Sequence, residues 1–265
     1  MTGFAEHIPP LLLVIFRIGG LMVFAPILSS KSVPVKVRIM LAFVIGFAVY
    51  PVLLSMGSVP VLPAAIGLWS LIPLVSMEIL VGVAIGLLAS LPLMAMRVGG
   101  QLAGQQMGLG FATFYDPNVE DDADLVGQLY FFVALVLFLS MSGLDIILQS
   151  LLHTFSHVPS GALAFSEGVL ALMLGMLLSA FEISLRVSAP VLAILFLQSI
   201  ALGYVSRTVP QLNILSLGFP LRLILGFGVM FMGITVIEYV GLEALDDFFR
   251  DLNAWSAGRT VIGGA

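Results

Sequence analysis

The chain has 265 residues, of which 60% are hydrophobic and 9% charged, with a net charge of -5 and no cysteine. A soluble domain runs nearer about 45–50% apolar and about 25% charged, so this much apolar surface calls for lipid as its solvent. The missing cysteines exclude disulfides, thiolate metal sites and cysteine nucleophiles, and the missing basic stripe excludes a nucleic-acid surface.

Residues 8–28 form the first apolar segment, long enough to cross a hydrocarbon core of roughly 30 Å, with Arg17 inside it. Glu6 and His7 stand where a secretory signal would carry a basic region, and no small-x-small site closes the run at Phe24-Ala25-Pro26, so the segment is expected to be retained. The connector 29–38 holds Lys31, Lys36 and Arg38. Residues 39–56 make a second span and 57–65 an uncharged, proline-bearing connector. Residues 66–96 are a third, longer run containing Glu78. After a glycine-rich stretch and the acidic run Glu120–Asp124, residues 125–152 make a fourth span with Asp145 inside. A polar connector, His153–Ser166, leads to a fifth run, 167–203, interrupted by Glu182, Arg186 and Pro190. The sixth run, 214–240, carries Arg222 near its start and Glu238 near its end. The tail 241–265 is mixed and expected to fray.

Six spans put both termini on one side, and the basic residues of connectors 29–38, 97–124 and 204–213 place those three connectors in the cytoplasm. Two runs are too long. As single helices, 66–96 would reach about 46 Å and 167–203 about 55 Å at 1.5 Å per residue. Either they break or tilt, with Pro73, Pro92 and Pro190 as break points, or they project beyond lipid and need protein partners to cover them.

The stretch 99–117 is the unusual one. Gly100, Gly104 and Gly108 recur every four residues, and on a helix would form one groove for a close backbone approach. Gln101 and Gln105 share a neighbouring face suited to hydrogen bonds across an interface. Phe111, Phe114 and Tyr115 follow Gly110, and Asp116-Pro117 ends any helix because the residue before proline disfavours α geometry. These rings need burial: in an aromatic belt at the membrane surface, or in a hole between helices, as a constriction that excludes water. The pattern by itself favours the belt.

Arg17, Glu78, Asp145, Glu182, Arg186, Arg222 and Glu238 lie in or at the edge of apolar runs. A charge facing lipid is costly, so structural pairing is expected, with Glu182 and Arg186 spaced i, i+4 to pair on their own helix. They do not form the dense acid–histidine series of a proton relay. His153 and His157 have a metal-compatible spacing but no third ligand nearby, so no metal and no cofactor are expected. No nucleophile elbow and no P-loop ending is present, so enzymatic activity is not expected, and the lack of an internal repeat speaks against a proton-coupled small-solute transporter.

Three blocks of sequence resemble the FliR family of flagellar export-gate proteins. They are Phe16-Arg17 through Pro26, Pro34 and Arg38; Gly104 to Ala112 with Asp116-Pro117; and Pro210 to Asn213 followed by Gly218-Phe219-Pro220. The resemblance implies an all-α polytopic membrane protein of about six apolar helical segments in bent hairpins. A FliP-like front part, 1–166, would be followed by a FliQ-like hairpin, 167–240, and the mixed tail. It implies a place in the bacterial inner membrane, in the flagellar basal body, beside FliP-like and FliQ-like subunits and the large gate protein FlhB. The substrates would be unfolded flagellar proteins, with membrane lipid around the chain. It also implies a pore loop over 107–122, which reverses the preference for the belt and makes Met107, Phe111, Phe114 and Tyr115 plug residues, flexed by Gly110 and stopped by Pro117. A virulence-type secretion gate subunit of the same fold, and a purely structural scaffold, are the other readings.

Overall fold

The computed structural model describes residues 2–30, 32–58, 67–109, 124–157, 167–209 and 214–256. Among them are eight helices and no strand: α1 (Thr2–Phe24), α2 (Val35–Ser55), α3 (Leu68–Met107), α4 (Leu125–Ser140), α5 (Gly143–His157), α6 (Glu167–Thr208), α7 (Ile214–Met232) and α8 (Ile234–Ser256). Four helices are long and apolar enough to cross a membrane, or up to six spans if each broken pair counts as one. The fold is therefore the expected polytopic all-α one.

The breaks do not fall where the prolines suggested. α3 runs unbroken through Pro73 and Pro92, and α6 through Pro190. Packed neighbours can re-satisfy a carbonyl freed by proline in an apolar helix. The breaks come instead where no proline stands. The expected span 125–152 divides between α4 and α5, where Ser142 takes a positive φ of 56°. The expected span 214–240 divides at Gly233, with a bend of 58° between α7 and α8. At that point the Gly233 amide donates to Val229 O and its carbonyl accepts from Val236 and Ile237, so one residue closes the first helix and opens the second.

The tail corrects the expectation of fraying as far as Ser256, where α8 ends. Ala244, Leu245, Phe248, Phe249 and Leu252 recur at helical spacing and are buried, while Asp246, Asp247 and Arg250 take the exposed side. An amphipathic stripe of this kind holds a helix that hydropathy alone does not mark. His153 and His157, expected in a connector, sit in the last turns of α5.

The chain folds as two compact units, each assembled from separated stretches. The first comprises 1–91, 142–177 and 247–265; the second 92–141 and 178–246. In the first, Leu13, Ile18 and Leu21 of α1 and Ile85 and Leu88 of α3 are completely or almost completely buried, as are Leu151 of α5 and Leu252 of α8. In the second, the buried residues include Met96 and Met107 of α3, Tyr130 and Phe138 of α4, Val191 and Leu195 of α6, and Leu245 of α8. Serines and threonines inside the apolar helices bond back to their own chain, as Ser90 does to Leu87 O, Ser184 to Phe181 O and Ser199 to Leu195 O, which leaves few hydroxyls seeking partners in an apolar setting.

Candidate functional site

The site of interest is the junction of α3 and α4 in the second unit, a pedestal formed by the residues that flank 110–123 in sequence. α3 brings Gly100 and Gly104 against the first turns of α4. A Cβ on Gly100 would lie 2.7 Å from Val126 O and 2.9 Å from Gly127 Cα; one on Gly104 would lie 3.3 Å from Val126 Cβ. At Gly100 the missing side chain lets two backbones touch, and at Gly104 it makes room for the Val126 side chain, so both glycines face α4 as the four-residue spacing suggests. Gly108 does not extend this groove. It ends the helix with φ 89°, its amide donating to Gln105 O and the Leu109 amide to Gly104 O. This pair of bonds is the Schellman arrangement, which requires a left-handed residue that glycine supplies at least cost. The spacing could not distinguish a third groove position from a terminator, because both want glycine.

Across the same pedestal, the Arg97 Nε of α3 donates to Asp124 Oδ2 at 3.0 Å. Asp124 directly precedes α4, and a Cβ on Gly127 would lie 2.1 Å from its Oδ1, so Gly127 makes room for the carboxylate. The ion pair ties α3, nearly three turns before its end at Met107, to the point where the chain enters α4. Met107 is fully buried: a Cβ on Gly226 of α7 would lie 2.6 Å from Met107 Cγ. Gln101 and Gln105 are exposed, and their side chains have no hydrogen bond among the described residues. Gly110, Phe111, Phe114, Tyr115 and Pro117, together with the acidic run as far as residue 123, lie outside the described residues.

The charged residues fall into three groups. In the first unit, Arg17 and Glu78 form a fully buried ion pair through Arg17 Nε and Glu78 Oε2. Arg17 Nη1 donates to Thr154 Oγ1 at 3.1 Å, the Thr154 hydroxyl donates to Leu151 O, and the guanidinium lies 4.1 Å from the centre of the Phe155 ring. One arginine thus binds α1, α3 and α5 by a charge, a hydrogen bond and a cation–π contact. In the second unit, Arg186 pairs with Glu182 at 2.7 Å and approaches Glu243 at 3.9 Å on exposed surface. The third group has no ion pair among the described residues: Arg222 meets only the Ser199 hydroxyl, at 3.4 Å, while Asp145 and Glu238 are exposed.

Sequence reading missed the tightest backbone approach among the described residues. A Cβ on Gly82 would lie 2.0 Å from Arg17 O, one on Gly20 2.3 Å from Ile79 O, and one on Gly86 2.5 Å from Leu21 O. The signal was available: Glu78, Gly82 and Gly86 recur every four residues on α3, opposite Arg17 and Gly20 on α1. The same contact explains the first block of the resemblance, in which Arg38 Nη2 also donates to Ser29 O and Ser30 O and so fixes the turn after α1. In the third block, the buried Gly218 offers its carbonyl to Gln198 Nε2 at 3.3 Å.

Comparison with known proteins identifies relatives of the chain. The family model described as "Bacterial export proteins, family 1" matches residues 8–248. The chain is 36% identical to the flagellar biosynthetic protein FliR of Escherichia coli, over 82% of this chain and 80% of that protein. It is 30% identical to FliR of Bacillus subtilis, over 91% and 92%. It is also 26% identical to the secretion system apparatus protein SsaT of Salmonella typhimurium, over 71% and 73%. With a match that spans nearly every described helix and relatives of this similarity and coverage, the chain belongs to the FliR family of bacterial export proteins.

Proposed function

We propose that the chain is a subunit of the flagellar type III export gate in the bacterial inner membrane, and that the loop 107–122 plugs its channel. The observation that carries the plug is the pedestal. Gly100 lets α3 and α4 meet backbone to backbone, Gly104 makes room for the Val126 side chain, Gly108 turns the chain out of α3, and Arg97 of α3 pairs with Asp124, where the chain enters α4. The segment between these two fixed points carries Phe111, Phe114 and Tyr115 in its sequence, and in this reading they are the rings of the plug. Apolar rings closing a narrow passage exclude water, and with it ions, until an unfolded chain displaces them. Met107, anchored on Gly226, serves in this reading as the fixed root of the plug.

The partners are FliP-like and FliQ-like subunits, with FlhB beside them. The exposed Gln101 and Gln105 suit hydrogen bonds to such a neighbour, and a family of export proteins with relatives in two secretion machines supports membership in a multi-subunit complex. Within the chain, 1–166 takes the FliP-like part and 167–240 the FliQ-like hairpin. No step in this mechanism uses covalent chemistry or a cofactor, so the chain acts as a channel component rather than an enzyme.

The test is ion leakage. Phe111→Ala combined with Phe114→Ala should make the inner membrane leak ions while the gate still assembles. A membrane as tight as wild type, in cells that assemble the gate normally, would overturn the plug. The relative SsaT supports a second reading, a virulence secretion gate, although both FliR relatives are more similar. The identity of the proteins secreted by a strain lacking the chain separates the two.

A further inference from the structure

In the second unit, α4 and the first turn of α8 enclose an open groove of about 660 Å³. Its α4 wall uses positions 125, 128, 129, 132, 133, 136 and 137, a continuous i, i+3, i+4, i+7 stripe running about 18 Å along the helix. Phe132 and Val136 on that wall are 60% and 65% exposed, and Ile234 opposite is 52% exposed. The groove exists because the chain bends at Gly233, which swings α8 away from the line of α7, and because Gly241 packs under Leu137. Its shape is that of a seat for one helix.

The lining is apolar apart from Gln128 and one carboxylate, Glu238. Glu238 has no hydrogen bond or ion pair among the described residues. An unpaired carboxylate in such a setting is costly against lipid, so lipid is a poor occupant. The chain's own nearby stretch is excluded by charge: Asp116, Glu120, Asp121 and Asp122 are acidic, with no base between them. A second copy presenting the same face would bring α4, which has no charged residue, and another Glu238.

We propose that this groove seats an apolar helix of a different polypeptide that carries one lysine or arginine opposite Glu238. The stripe supplies the apolar contact and the carboxylate sets the register, as a single charged pair does in an otherwise apolar helix interface. The proposal rests on the reading of the chain as a subunit of a multi-subunit gate, which co-purification of other subunits tests separately, and not on the role of the plug loop.

The test uses the full complex in native membranes. A photo-crosslinking amino acid at Phe132 should give an adduct with a membrane helix of another subunit, attached within about one turn of a lysine or arginine. Glu238→Gln should lower the adduct yield about ten-fold, as expected for losing one charge-assisted contact. Glu238→Lys should abolish the adduct, and exchanging the partner's base for glutamate in that background should restore it. The restoration keeps the test decisive even if Glu238→Lys alone impairs assembly. The proposal is overturned by no adduct, by adducts only to lipid or to a second copy of the chain, or by an adducted helix without a nearby base. Yields unchanged in Glu238→Gln and Glu238→Lys overturn it equally.

Discussion

Arg17 shows how one residue can organise a unit. Its guanidinium is fully buried, paired with Glu78, bonded to Thr154 and set over Phe155. Two charges taken out of water together cost little net free energy if their geometry is good, whereas leaving either alone is expensive. Glu78→Ala should therefore destabilise the chain by about 3–5 kcal/mol, and Arg17→Met combined with Glu78→Leu by clearly less than either single change. Thermal unfolding in detergent across this double-mutant cycle checks it: a loss in the double equal to the sum of the two single losses would mean the two charges act independently. Gly108 makes a second prediction at this scale. With φ 89°, alanine there should cost about 1–2 kcal/mol and loosen the pedestal, which hydrogen exchange at Leu109 and Asp124 would register as faster opening.

Among elements, the α1–α3 contact is the one most sensitive to volume. A Cβ on Gly82 meets backbone, Arg17 O at 2.0 Å and Leu21 N at 2.7 Å, and backbone cannot move aside as a side chain can. Gly82→Ala should sharply lower the amount of folded chain in the membrane, at or above the about 1–3 kcal/mol typical of overpacking. Gly19→Ala, one residue from the contact and with nothing within 4 Å, should leave the level unchanged, and immunoblots of membrane fractions compare the two. The Arg97–Asp124 staple behaves differently because Arg97 is 39% exposed and water screens the pair. Asp124→Asn should cost less than about 1 kcal/mol of stability. It should still raise hydrogen exchange across 110–123, because it frees one end of that segment; unchanged exchange would mean that the pair does not restrain it.

At the scale of the whole molecule, helix length is the dominant fact. α3 and α6, with 40 and 42 residues, extend about 60 Å and 63 Å, twice a hydrocarbon core of roughly 30 Å. Only 28% of the apolar window of α6 is buried within the chain. Phe196, Ile200 and Tyr204 on α6 are 66%, 56% and 76% exposed, too much apolar surface to leave in water. The chain made alone should therefore be degraded or aggregate, and co-expression of its partner subunits should lengthen its half-life several-fold in a pulse-chase experiment. A long-lived, monodisperse chain without partners would contradict this.

The amino-acid sequence by itself determined the solvent, the class and the number of apolar segments, because hydropathy over a window of membrane length is a property of composition and needs no partner. It also located the glycine face at Gly100 and Gly104 and the Glu182–Arg186 pair, since both follow from helical spacing. What it left open depended on contacts distant in the chain. Arg17 and Glu78 are 61 residues apart, and nothing local names one as the partner of the other. The breaks at Ser142 and Gly233, in place of Pro73, Pro92 and Pro190, were decided by tertiary packing, which can hold a proline inside a helix and bend a chain where none stands. The same holds for Gly108. Spacing placed it beside Gly104, but only the folded backbone, with its amide turned back on Gln105, made it the end of the helix and the start of the segment that carries the aromatic rings.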